Sequence, residues 1–397
     1  MEIIIQKFGG TSVADLSRIK NVANIIKAEI DTGNQVVAVV SAMAGVTNAL
    51  ITKCNEISKL DQPSHLREYD AALASGEIVT SALLALQLQS MGLQAISLQG
   101  WQVPLKTDNT HGNSQVIDID SKILKKMLES DVIPIITGFQ GITPNGDVST
   151  LGKGGSDTSA ALIAASLNAA RCDIYTDVDG IYSADPRIVH TARKIDIINI
   201  DELYALCAGG AKVLHPRAAI AAKRYGFPMR ILSSFTGAAG TIVETKEINM
   251  ENKLITAITS NKNLLKIDIE HNAEDFVRII GNFAENSVPI EQTYNLSNGT
   301  SIIIANLTDK NKCQKLLERL KNNSLLAKYE LSANISTVTI VGYGIKNDSR
   351  LTCKFIEILT DNAIEIFASH LSDIKMSILI NDQDNEKVIK LLHDYCF

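Results

Sequence analysis

The 397-residue chain carries 38 Lys and Arg against 44 Asp and Glu, a net charge of −6, and is 45% hydrophobic and 21% charged. This is a globular balance, and the length predicts roughly two to three domains, each large enough to close a core. The acidic balance without a basic patch excludes nucleic acid as an expected partner, and no apolar run approaches the roughly 20 residues of a membrane helix.

Short Ile- and Val-rich runs predict buried strands at EIIIQKF (2–8), VVAVVSAM (36–43), AISLQG (95–100), VIPIITGF (132–139), CDIYTDV (172–178) and MRILSS (229–234). Longer amphipathic segments near 14–31, 46–60, 65–91, 119–130, 157–170 and 211–224 read as helices. This alternation predicts an α/β fold, a mostly parallel sheet with helices on both faces. In such folds ligands sit beyond the carboxyl ends of the strands. KFGG, VSAMAG, TGFQG and TDVDG all fall at strand ends.

From about residue 248 glycine becomes sparse. LLKIDIE, SIIIANL, STVTIVG and IKMSILIN read as strands, and EDFVRIIGNFAENS, KNKCQKLLERLKN, LTCKFIEILTDN and NEKVIKLLHDYC as helices. The order predicts two small α/β sandwiches in tandem. The polar joint at 245–252 predicts a boundary, giving domains 1–247 and 248–397. The six cysteines (54, 172, 207, 313, 353 and 396) form no CxxC pair. Free thiols and a cytoplasmic location are expected. MEIIIQKFGG lacks the regions of a signal peptide.

Gly9 and Gly10 end the first strand, and Thr11 and Ser12 precede a helix. Glycines allow close backbone approach to an anion, and a helix start favours negative charge. Lys7 reaches the same place. The same residues also suit a plain turn. The second turn is TLGKGGSDT (150–158). Gly152, Gly154 and Gly155 allow close approach, Ser156 or Thr158 suits a helix cap, and Asp157 sits in the first turn. Lys153 is not needed for capping. The segment is neither a P-loop nor a dinucleotide fingerprint: no Ser or Thr follows its lysine, and Asp157 replaces the third glycine. In TDVDGIYSADPR, Thr176, Asp177 and Asp179 suit a ribose or a metal-bound water, and Tyr182 and Arg187 a base and phosphates. Asp-Gly and Asp-Pro are also turn signals. Lys212 is placed at the start of a helix. His215, followed by Pro216, reads as structural rather than as a general base. The histidines show no metal-ligand spacing. Two anion cradles, several lysines and few acids suit phosphoryl transfer to a small anionic acceptor.

KFGGTSV (7–13), VVSAMAGVTN (39–48), SGE (75–77), TLGKGGSDT (150–158), YTDVDGIYSADPR (175–187) and AKVLHP (211–216), in this order, resemble aspartate kinases. The resemblance implies an amino-acid-kinase αβα sandwich followed by two ferredoxin-like ACT domains, with 255–260 pairing into the second. It implies that Lys7 stabilises the transferring phosphoryl group and that Asp157 orients the lysines and backbone groups. Gly9, Gly10, Thr11, Ser12, Gly154 and Gly155 become phosphate-binding. Ser41, Thr47, Glu77, Lys153 and Ser156 become aspartate-binding, with Glu77 on the ammonium. Thr176, Asp177, Tyr182, Arg187 and Lys212 become ATP-binding. The implied substrates are L-aspartate and ATP, with Mg2+ arriving on the nucleotide, and the implied assembly is a homodimer through the ACT domains.

Two departures stand out. Lys153 replaces the family's usual arginine, so a point charge replaces a bidentate clamp. EHNAEDF and KNDSRLT lack the Pro-Gly turn that usually precedes each ACT helix, which puts feedback by lysine or threonine in doubt. LSDIKMS (371–377) resembles the interface strand of the second ACT unit. Another small-acid kinase of this fold and a catalytically silent amino-acid sensor are the competing readings.

Overall fold

The computed structural model describes residues 1–60, 62–103, 105–245, 255–296 and 299–397. The chain forms two compact units. The first comprises Met1–Tyr182, Arg193–Cys207 and Lys212–Met250; the second comprises Ser183–Ala192, Ala208–Ala211 and Glu251–Phe397. The expected boundary at 247/248 lies outside the described residues.

The first unit is built on an eight-stranded sheet. Its spatial order is Ile197–Asn199, Thr241–Glu244, Met229–Ser233, Arg171–Thr176, Ile3–Phe8, Gln35–Val40, Ile133–Thr137 and Ala95–Leu98. All neighbours pair in parallel except Met229–Ser233 with Thr241–Glu244. Ile3–Phe8 lies centrally, with Gln35–Val40 on one side and Arg171–Thr176 on the other. Successive strands thus depart in opposite directions from it, which opens a crevice at its carboxyl end. The helix Leu16–Asp31 covers one face through Ile19, Val22, Ala23 and Ile26, packed with Phe8, Val40 and Tyr175. A four-stranded sheet of short strands, Val116–Ile119, Leu105–Thr107, Gln140–Ile142 and Val148–Thr150, was not expected. These strands are too short to leave a hydrophobic run.

The helix Pro63–Ser90 contains a window of mean hydropathy 1.5, long and apolar enough by composition alone to cross a bilayer. The expectation that no segment approaches that length is corrected here. Half of the window is buried in the fold, and the helix turns Asp70, Glu77, Thr80 and Ser81 inward, as a core helix does.

The second unit is one antiparallel six-stranded sheet rather than two separate sandwiches. Its order is Ile290–Asn295, Thr300–Asn306, Ala257–Glu270, Lys328–Val341, Lys375–Asn381 and Ile366–Leu371. Two 14-residue strands, Ala257–Glu270 and Lys328–Val341, run through both modules. Register shifts between Asn261 and Lys266 mark the passage from one to the other. The first module packs Phe276–Glu285 and Lys310–Asn322 around Leu265, Ile267, Phe283, Ile303 and Leu317. The second packs Ser349–Asp361 and Asn385–Cys396 around Val338, Ile340, Phe355, Ile378 and Leu392. The start of the first long strand pairs into this second module, Ala257 with Val341 through Asn261 with Thr337, as expected for 255–260.

The excursion Ser183–Ala192 joins the same core through Ala184 and Val189, and Ser183 hydrogen-bonds His393 Nε2 at 2.9 Å. LSDIKMS is not one strand. Leu371 ends one strand, Ser372–Ile374 turn, and Lys375 begins the next. All six cysteines are free thiols.

Candidate active site

Lys7 lies near the end of the central strand and is 9% exposed. Its Nζ stands 2.6 Å from Asp157 Oδ1, an ion pair sheltered on both sides. Asp157 Oδ2 accepts the backbone N–H of His215 at 3.1 Å. One carboxylate therefore ties the first strand, the second glycine turn and the AKVLHP segment together.

After Gly9 the chain enters a 3-10 turn, Gly10–Val13, rather than the expected helix. The α-helix starts at Leu16, where the Asp15 side chain accepts the Arg18 N–H at 2.9 Å. Gly9 donates its N–H to Tyr175 O at 3.1 Å, and Ser12 donates its own to Gly9 O. Ser12 faces inward, and its hydroxyl accepts from Ser234 Oγ at 2.8 Å. Gly10 and Thr11 stand at the open start of the turn, where backbone N–H groups have no intrahelical partner. A Cβ on Gly10 would fall 2.9 Å from Ala42 O, so only glycine lets this turn pack on VSAMAG.

The second turn leads into the helix Gly155–Leu167, with Gly154 at its N-cap in the left-handed region (φ 71°). No side chain caps it. Thr158, an expected cap, instead donates both its N–H and its hydroxyl to Gly154 O. Ser156 is buried against Gly138, where a Cβ would lie 2.7 Å from the Ser156 Cβ. Phe139, a non-glycine residue at φ 71°, sits against Gly155, so backbone strain is held beside the turn. Lys153 projects from the turn and is exposed. A Cβ on Gly154 would meet the His215 ring at 2.2–2.4 Å. Gly154→Ala is therefore expected to lower both kcat/KM and the unfolding midpoint. Gly146→Ala is the control: its φ is 84° but nothing lies within 4 Å, so it should show only the left-handed strain of about 1 kcal/mol. Equal losses in the two variants, read by thermal melts and initial rates, would contradict the close-packing argument.

Ser41 ends the second strand, its N–H bonded to Phe8 O at 3.1 Å. Thr47 sits in the first turn of Val46–Ile57, behind Gly45 at φ 82°. Glu77 is 3% exposed on the helix Pro63–Ser90. Its Oε1 accepts the Ala42 N–H at 3.0 Å, and its Oε2 has no partner. Desolvation pushes this carboxyl up to about 7, the Ala42 N–H pulling it partly back. Gly76 makes the approach possible, since a Cβ there would lie 2.7 Å from the Ala42 Cβ. A buried, half-satisfied carboxylate facing a polar loop is chemically suited to an incoming ammonium.

Thr176 ends the strand beside Gly9 and Asp177 follows it, and the Thr176 hydroxyl donates to Asp177 Oδ1 at 3.0 Å. Tyr182 donates to Asp179 Oδ1 at 2.9 Å. Lys212 is exposed in a turn four residues ahead of the helix Pro216–Tyr225, not at its start. Arg187 belongs to the second unit and pairs with Asp185. His215 caps the helix, its Nδ1 accepting the Arg217 N–H at 3.4 Å, and burial lowers its pKa. Among the described residues no group of three or more His, Cys, Asp or Glu side chains could hold a metal.

No sequence signal singles out the Ala42 N–H, Gly138 or Arg217. Asp70, buried on the Glu77 helix, carried a signal that went unread: seven residues, two helical turns, place it on the same face as Glu77.

An amino acid kinase family model matches residues 2–233, and an ACT domain model matches 330–394. The aspartokinase of Rickettsia felis is 49% identical, with 99% of each chain covered. Aspartokinase 2 of Bacillus subtilis is 38% identical over 99% of this chain and 97% of its own. The crystal structure of E. coli aspartokinase III in complex with aspartate and ADP is 26% identical, covers 99% of both chains and superposes with a TM-score of 0.85. With its parallel-sheet kinase fold, its ACT modules and relatives matched end to end, the chain belongs to the amino acid kinase family, within its aspartokinase group.

Proposed function

We propose that the chain phosphorylates the β-carboxylate of L-aspartate with Mg-ATP, giving 4-phospho-L-aspartate and ADP, the first step toward lysine and diaminopimelate, threonine and methionine. The observation that carries this reading is the Lys7–Asp157 ion pair where two glycine turns meet at strand ends. A carboxylate oxygen of aspartate attacks the γ-phosphorus, and the bond from that phosphorus to the bridging oxygen of ADP breaks. The attacking carboxylate is already ionised near neutral pH, so no general base is needed. The chain's task is positioning and charge stabilisation.

Lys7 neutralises charge on the transferring phosphoryl oxygens, and Asp157 keeps the Lys7 amine aimed. Gly9, Gly10 and Thr11, braced from inside by Ser12, form one phosphate-binding turn, and Gly154 and Gly155 the other, at the start of a 13-residue helix. Glu77 holds the aspartate ammonium. Ser41, Thr47, Lys153 and Ser156 hold its carboxylates. Thr176, Asp177, Tyr182 and Lys212 bind the nucleotide. Magnesium would arrive with the nucleotide and would offset phosphate charge; the two glycine turns, flanked by Lys7 and Lys153, suit such a polyphosphate. Residues 1–247 act as the catalytic domain, and 248–397 as tandem ACT regulatory domains that pair with a second copy. The six free thiols support a cytoplasmic enzyme.

The test is ADP release measured with aspartate, glutamate, acetylglutamate and a nucleoside monophosphate in parallel. Release dependent on aspartate alone supports the reading; release with another acceptor moves the chain elsewhere among small-acid kinases. Lys153→Arg should lower the aspartate KM, because a guanidinium clamps a carboxylate with two bonds where an ammonium offers one. An unchanged KM would remove Lys153 from the substrate's carboxylate.

A further inference from the structure

We infer that Asp70 and His111 are positioning residues for the substrate-binding turn, an inference that rests on the aspartate-binding reading of Lys153 and Glu77. Asp70 is fully buried and belongs to none of the expected motifs. Three donors from two segments converge on it. His111 Nδ1 lies 2.8 Å from Oδ2, the Gly112 N–H donates to both oxygens at 3.0 Å, and the Thr150 hydroxyl donates to Oδ1 at 2.5 Å. Thr150 is the first residue of TLGKGGSD.

The segment held by Asp70 is in turn bonded to the glycine turn. Ser114 donates its N–H to Thr150 O at 2.8 Å. Arg217 donates to Leu151 O at 2.7 Å and to Ser114 O at 3.1 Å, clamping the two segments together. Gly152 packs so closely on Asn113 that a Cβ would lie 2.6 Å from its Oδ1. The turn carrying Lys153, Ser156 and Asp157 is thus fixed to the helix Pro63–Ser90 through one carboxylate.

That same helix carries Glu77, seven residues further on, a rise of about 10 Å. The brace therefore sets the spacing between the residue facing the substrate's ammonium and the residues facing its carboxylates. Small errors in such spacing are costly, because productive geometry is defined to a fraction of an ångström. The nucleotide set on the strand Arg171–Thr176 and beyond makes none of these contacts, so loosening the brace should weaken aspartate and spare ATP.

The test uses His111→Gln and His111→Asn in the full chain, with Asp70→Asn as a harsher variant that could fail to fold. Asparagine places a donor where Nδ1 stood; glutamine places it near Nε2. His111→Gln should raise the aspartate KM about ten-fold with the ATP KM unchanged, and His111→Asn should restore most of it. Amide hydrogen exchange at 150–157 should quicken in the glutamine variant and recover in the asparagine variant. Unchanged exchange and KM in His111→Gln, or equal losses for aspartate and ATP, would overturn the brace. A wild-type chain that turns over no aspartate would instead sink the functional reading, and the exchange comparison would still decide the brace.

Discussion

Lys7→Ala is expected to lower kcat about 10³-fold, with a smaller change in either KM. Lys7 is held inside the strand-end crevice by an ion pair, 2.6 Å from Asp157. Removing a single preorganised charge or donor from a sheltered transition-state site costs about 10²–10³ in kcat, and a full charge beside a phosphoryl group belongs at the upper end of that range. Asp157→Ala should cost a comparable factor by a different route. It frees the lysine amine and removes the acceptor of the His215 N–H, so the turn and the AKVLHP segment separate. Because the two side chains act as one device, the double variant should be little worse than the poorer single variant. Losses that multiply in the double variant would mean that Lys7 and Asp157 serve separate steps. Steady-state rates on the four proteins decide the matter.

Glu77→Gln should raise the aspartate KM about 10²-fold and make the protein more stable above neutral pH, through loss of a charge-assisted contact worth about 1.5–3 kcal/mol. Desolvation lifts the Glu77 carboxyl from 4.5 to about 7. The folded state thus holds this proton more tightly than the unfolded chain. The stability so contributed is fully present below the unfolded value of 4.5 and is lost as pH rises through about 7. Glutamine removes that loss, and the gain at pH 8 is about 3 kcal/mol at most. Substrate binding runs the other way, because the ammonium needs the ionised carboxylate. The wild-type aspartate KM should climb as pH falls below about 7, approaching tenfold per pH unit, and Glu77→Gln should abolish that dependence. A pH-independent wild-type KM between pH 5.5 and 7.5 would remove Glu77 from the ammonium. Greater stability bought with lost affinity is what a strained binding residue predicts.

The elements that were legible in the sequence are those whose packing leaves a pattern. KNKCQKLLERLKN and NEKVIKLLHDYC match the helices Lys310–Asn322 and Asn385–Cys396 residue for residue, because each buries one stripe and solvates the other. The six strands expected in the eight-stranded sheet read as apolar runs because most of their residues are buried. The edge strands Ile290–Asn295 and Ile366–Leu371 went unread, since IEQTYN and IFASHL are half polar and pair on one side only. The sharing of two long strands between the ACT modules was also invisible. Register shifts at Asn261–Lys266 mark the passage between modules, and no local residue preference signals them. Ala184 and Val189 belong to the second unit's core, although YSADPR read only as a nucleotide loop.

At the site, the sequence placed the glycine turns, Lys7 and Asp157 at strand ends, and the fold joins Lys7 to Asp157; the anion-binding role proposed for them rests on small residues and few acids there. The partners were not. Gly76 exists to let Ala42 approach Glu77, and Gly154 to let His215 approach the second turn; such pairs become visible only when distant segments meet. The Asp70 brace hid for the same reason, its contacts spanning 41, 42 and 80 residues of sequence. Ser12 and Thr158 illustrate the converse. Their types suited a cradle and a cap, but the fold directs both hydroxyls inward to Ser234 and Gly154.

The acyl phosphate that this chain makes on aspartate is an electrophile that hydroxylamine captures. Trapping with hydroxylamine tests its formation most directly, using the full chain with Mg-ATP and either aspartate or glutamate, beside Lys7→Ala and Asp157→Ala. Aspartyl hydroxamate is expected with aspartate alone, reduced to background in both variants. Hydroxamate from glutamate, or none from either acid with the wild-type chain, would contradict the proposed function.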